Sequence, residues 1–361
     1  MTQSGTAAIR FQSSDSLSTI DPLQDPRWVK FLDSHPDASV FHFPGWLNAL
    51  RKTYGYEPQV FTTAAETSDL TDGIVFCKVD SWLTGSRLVS VPFADHCQPL
   101  LSHSNQLQTL LPLLRSCYDR DHCRYFELRP LILSSGLARD TGLSRSQSFY
   151  YHSLDLRPEL DLLFRALHKS CVQRKIRRAE NENLKYEEGR SESILGDFYA
   201  LLLLTRRRHG LVPQPLAWFR NLTTHLGDKL LIRLARKQGR PIASILTLQY
   251  KKKLVYKYGC SDARFHNLGG MAFLFWQAIQ QAKNSDLEEF DLGRSDCGNQ
   301  GLIDFKNHLG AKSWMLHYYR YPDSAGPRDT YARCRIASAA CTHMPKMVSR
   351  VVGSLLYRHM G

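Results

Sequence analysis

Apolar positions in the second half of the chain follow first the period of a β-strand and then that of a helix. Two runs rich in β-branched and aromatic residues, Pro241–Tyr250 and Leu254–Cys260, are joined by a turn of three lysines. Such runs predict an antiparallel hairpin. From Met271 to Ala282 the apolar residues recur every three or four positions, which predicts an amphipathic helix directly after the hairpin.

The loop that joins this hairpin to the helix contains paired glycines. Leu268, Gly269 and Gly270 stand where the helix is predicted to begin. A glycine turn that opens a helix exposes free backbone N–H groups at the positive end of the helix dipole, which suits a pyrophosphate or a carboxylate. We therefore expect Gly259, Leu268, Gly269 and Gly270 to bind a donor, with a simple tight turn as the alternative.

The order of elements after this helix repeats an order found earlier in the chain. A short strand at Glu289–Gly293, a helix at Gly301–Leu309 and a last strand at Trp314–Tyr321 complete the second half. In the first half, a helix over Leu107–Tyr118 is likewise followed by a strand at Tyr125–Arg129. The same order of elements thus occurs twice, about 165 residues apart, and a repeat of this length indicates a duplicated domain.

This part of the sequence resembles the GNAT acyltransferase fold. The similarity is strongest to its Fem-like branch, which includes the peptidoglycan bridge-forming aminoacyltransferases and the BioF2-like or CelD-like acetyltransferase domains. It is clear over residues 160–321 and fainter before them. The matching segments are Tyr256–Ser261, Leu268–Gly270, Phe290–Arg294, Leu302–Lys306 and Gly310–Ala311.

The resemblance implies an α/β protein with tandem GNAT-like domains, each a mixed, mostly antiparallel sheet flanked by helices. We expect a degenerate GNAT-like domain over residues 1–148 and a GNAT-like acyltransferase domain over 149–325. The segment Pro92–Pro99 replaces the glycine loop in the first half, which suggests an acceptor-side role there. We expect residues 326–361 to form a basic amphipathic tail that docks on the body or lies on a membrane surface.

Composition narrows the class of protein. With 361 residues, of which 43% are hydrophobic, the chain can bury two ordinary cores. Nine scattered cysteines without a C-x-x-C pair predict reduced thiols and no metal site. The first nineteen residues lack the apolar core of a signal peptide, and no run approaches the roughly 18 residues that span a bilayer. We expect a cytoplasmic protein, with peripheral contact at the inner face of the membrane as an extension.

Positive charge is concentrated in one region of the chain. Lysine and arginine number 47 against 34 acidic residues, and Arg174, Arg177 and Arg178 share one face of a predicted helix. Such a face attracts polyanions: tRNA, coenzyme A, nucleotide-linked precursors or anionic lipid headgroups. An ordinary solvated surface is the alternative.

Three residues are candidates for catalysis. Lys306 matches a functionally important lysine of Fem-like enzymes, where it would stabilise charge in the transition state; a lysine on a helix surface is the alternative. Asp291 could accept a proton through water. Tyr256 and Tyr258 flank Lys257 on the second strand of the hairpin, and we expect Tyr258 to face the site.

Three further residues follow the strand that contains Asp291. Arg294 could hold an acceptor carboxylate or phosphate, and Asp296 and Asn299 stand beside it in a loop, a frequent place for functional groups. The alternative is that Asp296 and Asn299 only cap the loop by accepting hydrogen bonds from backbone N–H groups.

These expectations combine into three hypotheses. The first is an N-acyltransferase that moves an acyl group from acyl-CoA, such as acetyl-CoA, to an amine on a small molecule, glycan or peptide, including cell-envelope or polysaccharide precursors. The second is a Fem-like peptidoglycan aminoacyltransferase that uses aminoacyl-tRNA. The third is a non-catalytic protein that binds a polyanion or a membrane surface.

Overall fold

A computed structural model describes residues 18–103, 105–133, 141–322, 352–353 and 355–360. Within them, twelve strands form one sheet in the order β1-β2-β3-β4-β5-β12-β6-β11-β10-β9-β8-β7. The strands are β1 (Ser18–Ile20), β2 (Glu57–Thr62), β3 (Ile74–Val79), β4 (Arg87–Val89), β5 (Phe126–Leu128), β6 (Ser144–Asp155), β7 (Lys185–Gly189), β8 (Leu230–Lys237), β9 (Arg240–Tyr250), β10 (Lys253–Ser261), β11 (Glu289–Asp296) and β12 (Lys312–Tyr321).

Helices lie along both faces of this sheet. They are α1 (Pro26–Ser34), α2 (Pro44–Tyr54), α3 (Asn105–Arg120), α4 (Leu160–Ala166), α5 (Arg174–Asn181), α6 (Glu192–Arg208), α7 (Leu216–Leu226), α8 (Gly270–Asn284) and α9 (Gln300–His308). One turn of π-helix at Lys169–Gln173 precedes α5, and a 3₁₀ turn at Ala263–Leu268 precedes α8.

The sheet confirms the predicted fold class. The pairs β4/β5 and β10/β11 are parallel, and the other neighbouring pairs are antiparallel. The predicted hairpin is β9 and β10, and the helix expected after it is α8. The sheet is therefore mixed, mostly antiparallel and flanked by helices, as expected.

The last strand joins the two halves of the chain. β12 pairs on one side with β5, where Tyr319 lies opposite Leu128, and on the other with β6, where Trp314 lies opposite Tyr151. The boundary expected between residues 148 and 149 falls inside β6. The halves thus share one sheet, and the division into two domains stays a prediction.

Apolar side chains fill the space on both sides of the sheet. One core draws on both halves: Trp46 of α2 meets Trp218 of α7 with ring centroids 5.3 Å apart, and both indoles are fully buried. A second core packs α5 and α8 on β9 to β11, with Phe275 of α8 against Phe290 of β11, and two smaller clusters complete the described apolar interior. Burial of each such side chain stabilises the fold by about 2 kcal/mol, so removal of either half would expose the first core.

The described part of the predicted tail packs on the body. Tyr56 Oη donates to the carbonyls of Tyr357 and Arg358 over 3.0 and 3.1 Å, and the ring of Tyr357 lies on Phe93. Arg87 and Thr84 donate to the carbonyl of His359. These contacts hold residues 355–360 against the first half, whereas contact of the tail with a membrane stays a prediction.

Among the described helices, none has the length and apolar character that crossing a bilayer requires.

Candidate active site

Two parallel strands part near the middle of the sheet. β10 and β11 pair only from Lys253 opposite Glu289 to Val255 opposite Asp291, although both strands continue well beyond these residues. Each strand has a bulge at this point, while β10 stays paired with β9 and β11 with β6. The strands therefore diverge. We call the space between Tyr256–Ser261 and the end of β11 the wedge.

Lys306 points into β11 from α9. Its side chain is buried, and its ammonium donates to the carbonyls of Gly293 and Arg294 over 3.1 and 2.8 Å. Burial lowers the pKa of Lys306 to about 8, against the opposing effect of nearby Asp95 and Asp291. An ammonium has three N–H donors, and these two bonds leave one. Lys306 is thus a buried cation at the wedge and not a surface lysine.

The first half of the chain contributes a carboxylate to the same place. Asp95 accepts a hydrogen bond from the ammonium of Lys257 over 3.1 Å. It lies against Gly293, where an added Cβ would come within 2.3 Å of Asp95 Oδ2. Burial raises the pKa of Asp95, but Lys257, Arg294 and Lys306 together hold it below its usual value. Asp95 is therefore an anion in the wedge.

The expected aspartate of β11 forms a second buried pair. Asp291 Oδ1 accepts from the N–H of Gly293 over 2.7 Å, and its Oδ2 lies 2.9 Å from Nε2 of His96. Both side chains are buried, and among the described residues His96 Nδ1 has no hydrogen-bond partner. Sequence reasoning missed Asp95 and His96 as site residues. Their one signal was the segment Pro92–Pro99, which stands where the second half has its glycine loop.

Tyr258 does not face the wedge. Its hydroxyl accepts from Trp218 Nε1 over 2.9 Å, and its ring packs against Phe219 in the first core. The bulge of β10 adds a residue between Tyr256 and Tyr258, so the two rings point to opposite faces of the sheet. The expectation that Tyr258 faces the site assumed that side chains of β10 alternate between the two faces of the sheet without interruption. The side chain of β10 that reaches Asp95 is Lys257.

The glycine turn is buried where α8 begins. Gly269 has φ +78°, and an added Cβ would lie 2.2 Å from the carbonyl oxygen of Lys175 in α5. A Cβ on Gly270 would come within 3.1 Å of Ala243 Cβ, and Leu268 belongs to the second core. These glycines therefore allow α5 to pack on α8, and their role in donor binding stays a prediction. Gly259 likewise leaves room for the hydroxyl of Tyr256.

Exposed basic groups surround this turn. Arg208 at the end of α6 donates to the carbonyl of Ser261 over 3.1 Å, and Ser261 Oγ lies 2.8 Å from His266 Nε2. Burial, and then the positive charges of Arg208 and Lys175, lower the pKa of His266. We call Lys175, Arg208 and His266 the basic rim; its two cations, Lys175 and Arg208, favour an anion beside the start of α8.

Two of the expected acceptor residues, Asp296 and Asn299, line one open cavity. It has a volume of about 530 Å³ and lies between β6 and the loop Asp296–Asn299. The Arg294 guanidinium covers the ring of Phe149, a lining residue, at 4.0 Å from its centroid. Asn299 also caps α9 by accepting from the N–H of Leu302 over 3.2 Å. The loop thus caps α9, the helix that contains Lys306, and also borders this cavity.

The arginines of α5 lie on its exposed face. Arg178 pairs with Glu182 one helical turn later at 2.8 Å. Among the described residues, Arg174 and Arg177 make no ion pair. Their charge is therefore available to a polyanion, on the helix that contacts the glycine turn.

Comparison with known proteins agrees with this geometry. Residues 168–307 match the model of the acetyltransferase (GNAT) domain family. The chain is also similar to the UDP-N-acetylmuramoylpentapeptide-lysine N(6)-alanyltransferase of Weissella viridescens, at 24% identity over 170 residues. That match covers 46% of this chain and 50% of the relative, so the chain spans about half the length of its curated relative.

Solved structures show the same fold over most of the chain. FemX matches with a TM-score of 0.67 at 12% identity, over 84% of this chain and 97% of that one. The L-PGS of Bacillus licheniformis matches with a TM-score of 0.55 at 14% identity, over 89% and 98%. A tandem GNAT protein from the clavulanic acid biosynthesis pathway gives 0.53 at 12%, over 87% and 100%. The predicted resemblance to the Fem-like branch of the GNAT fold is confirmed.

Proposed function

We propose that this chain, whose residues 168–307 match the acetyltransferase (GNAT) domain family, is an N-acyltransferase that moves an acyl group from a phosphate-bearing carrier to an amine. The observation that carries the proposal is the buried ammonium of Lys306 at the wedge, next to the carboxylate of Asp95.

Lys306 supplies the electrostatic part of the reaction. Attack of an amine on the acyl carbon places negative charge on the carbonyl oxygen. Two of the three N–H donors of Lys306 are fixed on backbone carbonyls, so the third has a defined direction and can bind the oxyanion. Because burial excludes water, this hydrogen bond is stronger than it would be at the surface.

Two carboxylates can receive the proton of the attacking amine. Asp95 is ionised in the wedge, and Asp291 is coupled to His96 beside it. The amine nitrogen forms a bond to the acyl carbon and passes its proton to one of these groups. The intermediate then collapses, re-forms the carbonyl and expels the carrier's thiolate or alkoxide, which takes up a proton.

Acyl-CoA is the first candidate donor. The basic rim and the start of α8 offer positive charge and backbone N–H groups to a pyrophosphate. No covalent intermediate on the enzyme is required, because the amine attacks the bound donor directly.

Aminoacyl-tRNA is the second candidate donor, and the exposed arginines of α5 favour it. Arg174 and Arg177 lie on the helix that contacts the glycine turn. A polyanion larger than coenzyme A could therefore extend across both the glycine turn and the exposed face of α5. The similarity to an alanyltransferase that acts on a lysine-containing muramoyl pentapeptide points to an amine of a cell-envelope precursor as acceptor. Such substrates would place the enzyme in the cytoplasm, at the inner face of the membrane.

Two experiments separate the donors and test the proposal. The melting temperature of the purified chain should rise with acetyl-CoA, or with alanyl-tRNA, if that molecule binds the folded state. Mass spectrometry of a panel of amines, including the lysine-containing muramoyl pentapeptide, then detects a mass gain equal to the acyl group. Binding of both donors without transfer to any amine would contradict the enzyme proposal and favour a non-catalytic polyanion-binding protein.

A further inference from the structure

Three side chains with metal-ligating atoms meet at one end of α9. Cys171 belongs to the π-turn before α5, His168 is the N-cap residue of that turn, and His308 is the last residue of α9. One ligand atom of each lies within 4.8 Å of the other two. The sequence predicted no metal site because no two cysteines have the spacing of a C-x-x-C pair. The fold nevertheless brings His168 and Cys171, which are three residues apart, against His308, which is distant in sequence.

The backbone holds these residues in place. The N–H of His168 donates to the carbonyl of His308 over 2.9 Å, and the two imidazole rings have centroids 4.3 Å apart. His168 Nδ1 accepts from the N–H of Cys171 over 3.2 Å, so this nitrogen is unprotonated and directed toward Cys171. The cluster therefore has a fixed framework, and the Nδ1 lone pair of His168 is engaged by the N–H of Cys171.

The ligand set selects the class of metal. Two imidazoles and one thiolate suit zinc, which binds nitrogen at about 2.0 Å and sulfur at about 2.3 Å in tetrahedral geometry. Ligand atoms around such an ion are about 3.5 Å apart, so small side-chain rotations within the 4.8 Å cluster are enough. His168 is exposed, which leaves a route for the ion and a fourth position for water.

We propose that His168, Cys171 and His308 form a binding site for Zn²⁺. On binding, the Cys171 thiol loses its proton to solvent and the thiolate coordinates the metal. His168 Nδ1 exchanges its hydrogen bond from Cys171 for a bond to zinc. The ion links α9, which presents Lys306, to the turn that begins α5. This site does not depend on which acyl donor the enzyme uses.

Cobalt provides a spectroscopic probe of the proposed site. The full chain is treated with EDTA, desalted and titrated with Co²⁺ without oxygen. We expect one equivalent to bind, with a thiolate-to-cobalt charge-transfer band and the intense visible absorption of a tetrahedral ion. One equivalent of Zn²⁺ should remove both signals. Zn²⁺ should also raise the melting temperature of the wild-type chain.

Matched variants locate the site. Cys171→Ser should abolish the charge-transfer band, and His308→Gln should weaken Co²⁺ binding at least tenfold, the scale expected when a metal site is damaged. Cys297→Ser removes an exposed cysteine elsewhere and should leave both signals unchanged. Circular dichroism checks that each variant is folded, and Cys171→Ala replaces Cys171→Ser if that variant is not.

Two results would overturn the proposal. One is a wild-type chain that binds less than a stoichiometric amount of Co²⁺ and shows no thiolate band. The other is a band that survives in folded Cys171→Ser or Cys171→Ala, since the metal would then bind a different cysteine.

Discussion

Two charges of opposite sign at the wedge come from different halves of the chain. Asp95 follows β4, and Lys257 lies at the bulge of β10; their side chains are 20% and 7% exposed. A buried ion pair adds little net stability when compared with an apolar pair, but loss of one partner leaves an uncompensated charge. The pair therefore matters more for the arrangement of the wedge than for the total free energy of folding.

A double-mutant cycle tests this view of the pair. We expect Asp95→Asn to lower the free energy of unfolding by about 3 kcal/mol, because the Lys257 ammonium would stay buried without its partner. Lys257→Met in the same background should restore part of the loss. The exposed pair Lys30–Asp69 is the control, and Asp69→Asn should cost at most about 1 kcal/mol. Additive effects of the two wedge substitutions in urea unfolding would show that the pair is not coupled.

A buried histidine makes the fold sensitive to acid. His42 is fully buried; its Nδ1 accepts from the N–H of Ser39, and its Nε2 lies 2.9 Å from the carbonyl of Gln98. Burial lowers the pKa of His42 to about 4, below an unfolded value of about 6.5. A lowered histidine pKa means that stability is fully present above pH 6.5 and is lost as the pH falls toward 4.

Urea unfolding at pH 7 and pH 4.5 measures this effect. The wild-type chain should lose on the order of 3 kcal/mol from His42 across the full interval, because folding then requires removal of the proton that the imidazole carries in the unfolded chain. His42→Gln should be less stable at pH 7 but less sensitive to pH. The exposed His103 provides the control variant His103→Gln, which should keep the wild-type pH profile. An unchanged pH dependence in His42→Gln would refute the assignment.

Among the elements, α8 and α5 depend on one glycine for their contact. Gly269 and Gly239 both have φ +78°, but an added Cβ meets the Lys175 carbonyl at Gly269 and meets nothing at Gly239. Substitutions at these two glycines therefore separate the free-energy cost of a left-handed backbone from the cost of steric overlap.

We expect Gly239→Ala to cost about 1 kcal/mol, the conformational penalty alone. Gly269→Ala should cost several times more, because α5 must move away from α8. Thermal unfolding of the two variants measures the difference. Equal melting temperatures would mean that the contact between α5 and α8 is not tight.

Most elements of the second half were predictable, because their apolar periodicity is regular. The hairpin and α8 follow the pattern closely. Lys306 is a candidate because its motif matches that of Fem-like enzymes, and its catalytic role stays a prediction. The bulges of β10 and β11 were not predictable, since each depends on how neighbouring strands diverge. That is why Tyr258 was assigned to the wrong face and Lys257 was missed. Asp95 and His96 reach the wedge only through tertiary packing of a loop with no periodic signal.

The continuous sheet brings residues of the first half of the chain to the wedge, which is formed by strands of the second half. β12 connects β5 to β6, and the core that contains Trp46 and Trp218 crosses between the halves. The shared sheet and core therefore hold Asp95 and His96 beside β11. This arrangement gives the first half a direct part in the wedge, even though it has no glycine loop.

The salt dependence of tRNA binding tests whether the exposed arginines of α5 bind a tRNA donor. Arg174→Ala with Arg177→Ala should weaken tRNA binding and reduce its slope against log salt concentration by about 1 to 2, because two phosphate contacts are lost. Acetyl-CoA affinity should change little. The matched control replaces the exposed Arg120 and Arg157 by alanine. Equal tRNA affinity and slope in both double variants would mean that the α5 face does not bind tRNA.

In the proposed reaction, the buried ammonium of Lys306 promotes acyl transfer to an amine. The most direct measurement is the single-turnover rate of transfer, followed by mass spectrometry, for the wild type, Lys306→Met and the exposed control Lys312→Met. We predict a loss of about 10²-fold or more for Lys306→Met, with unchanged donor affinity and wild-type rates for the control. A folded Lys306→Met that transfers the acyl group at the wild-type rate would show that the Lys306 ammonium does not promote the reaction.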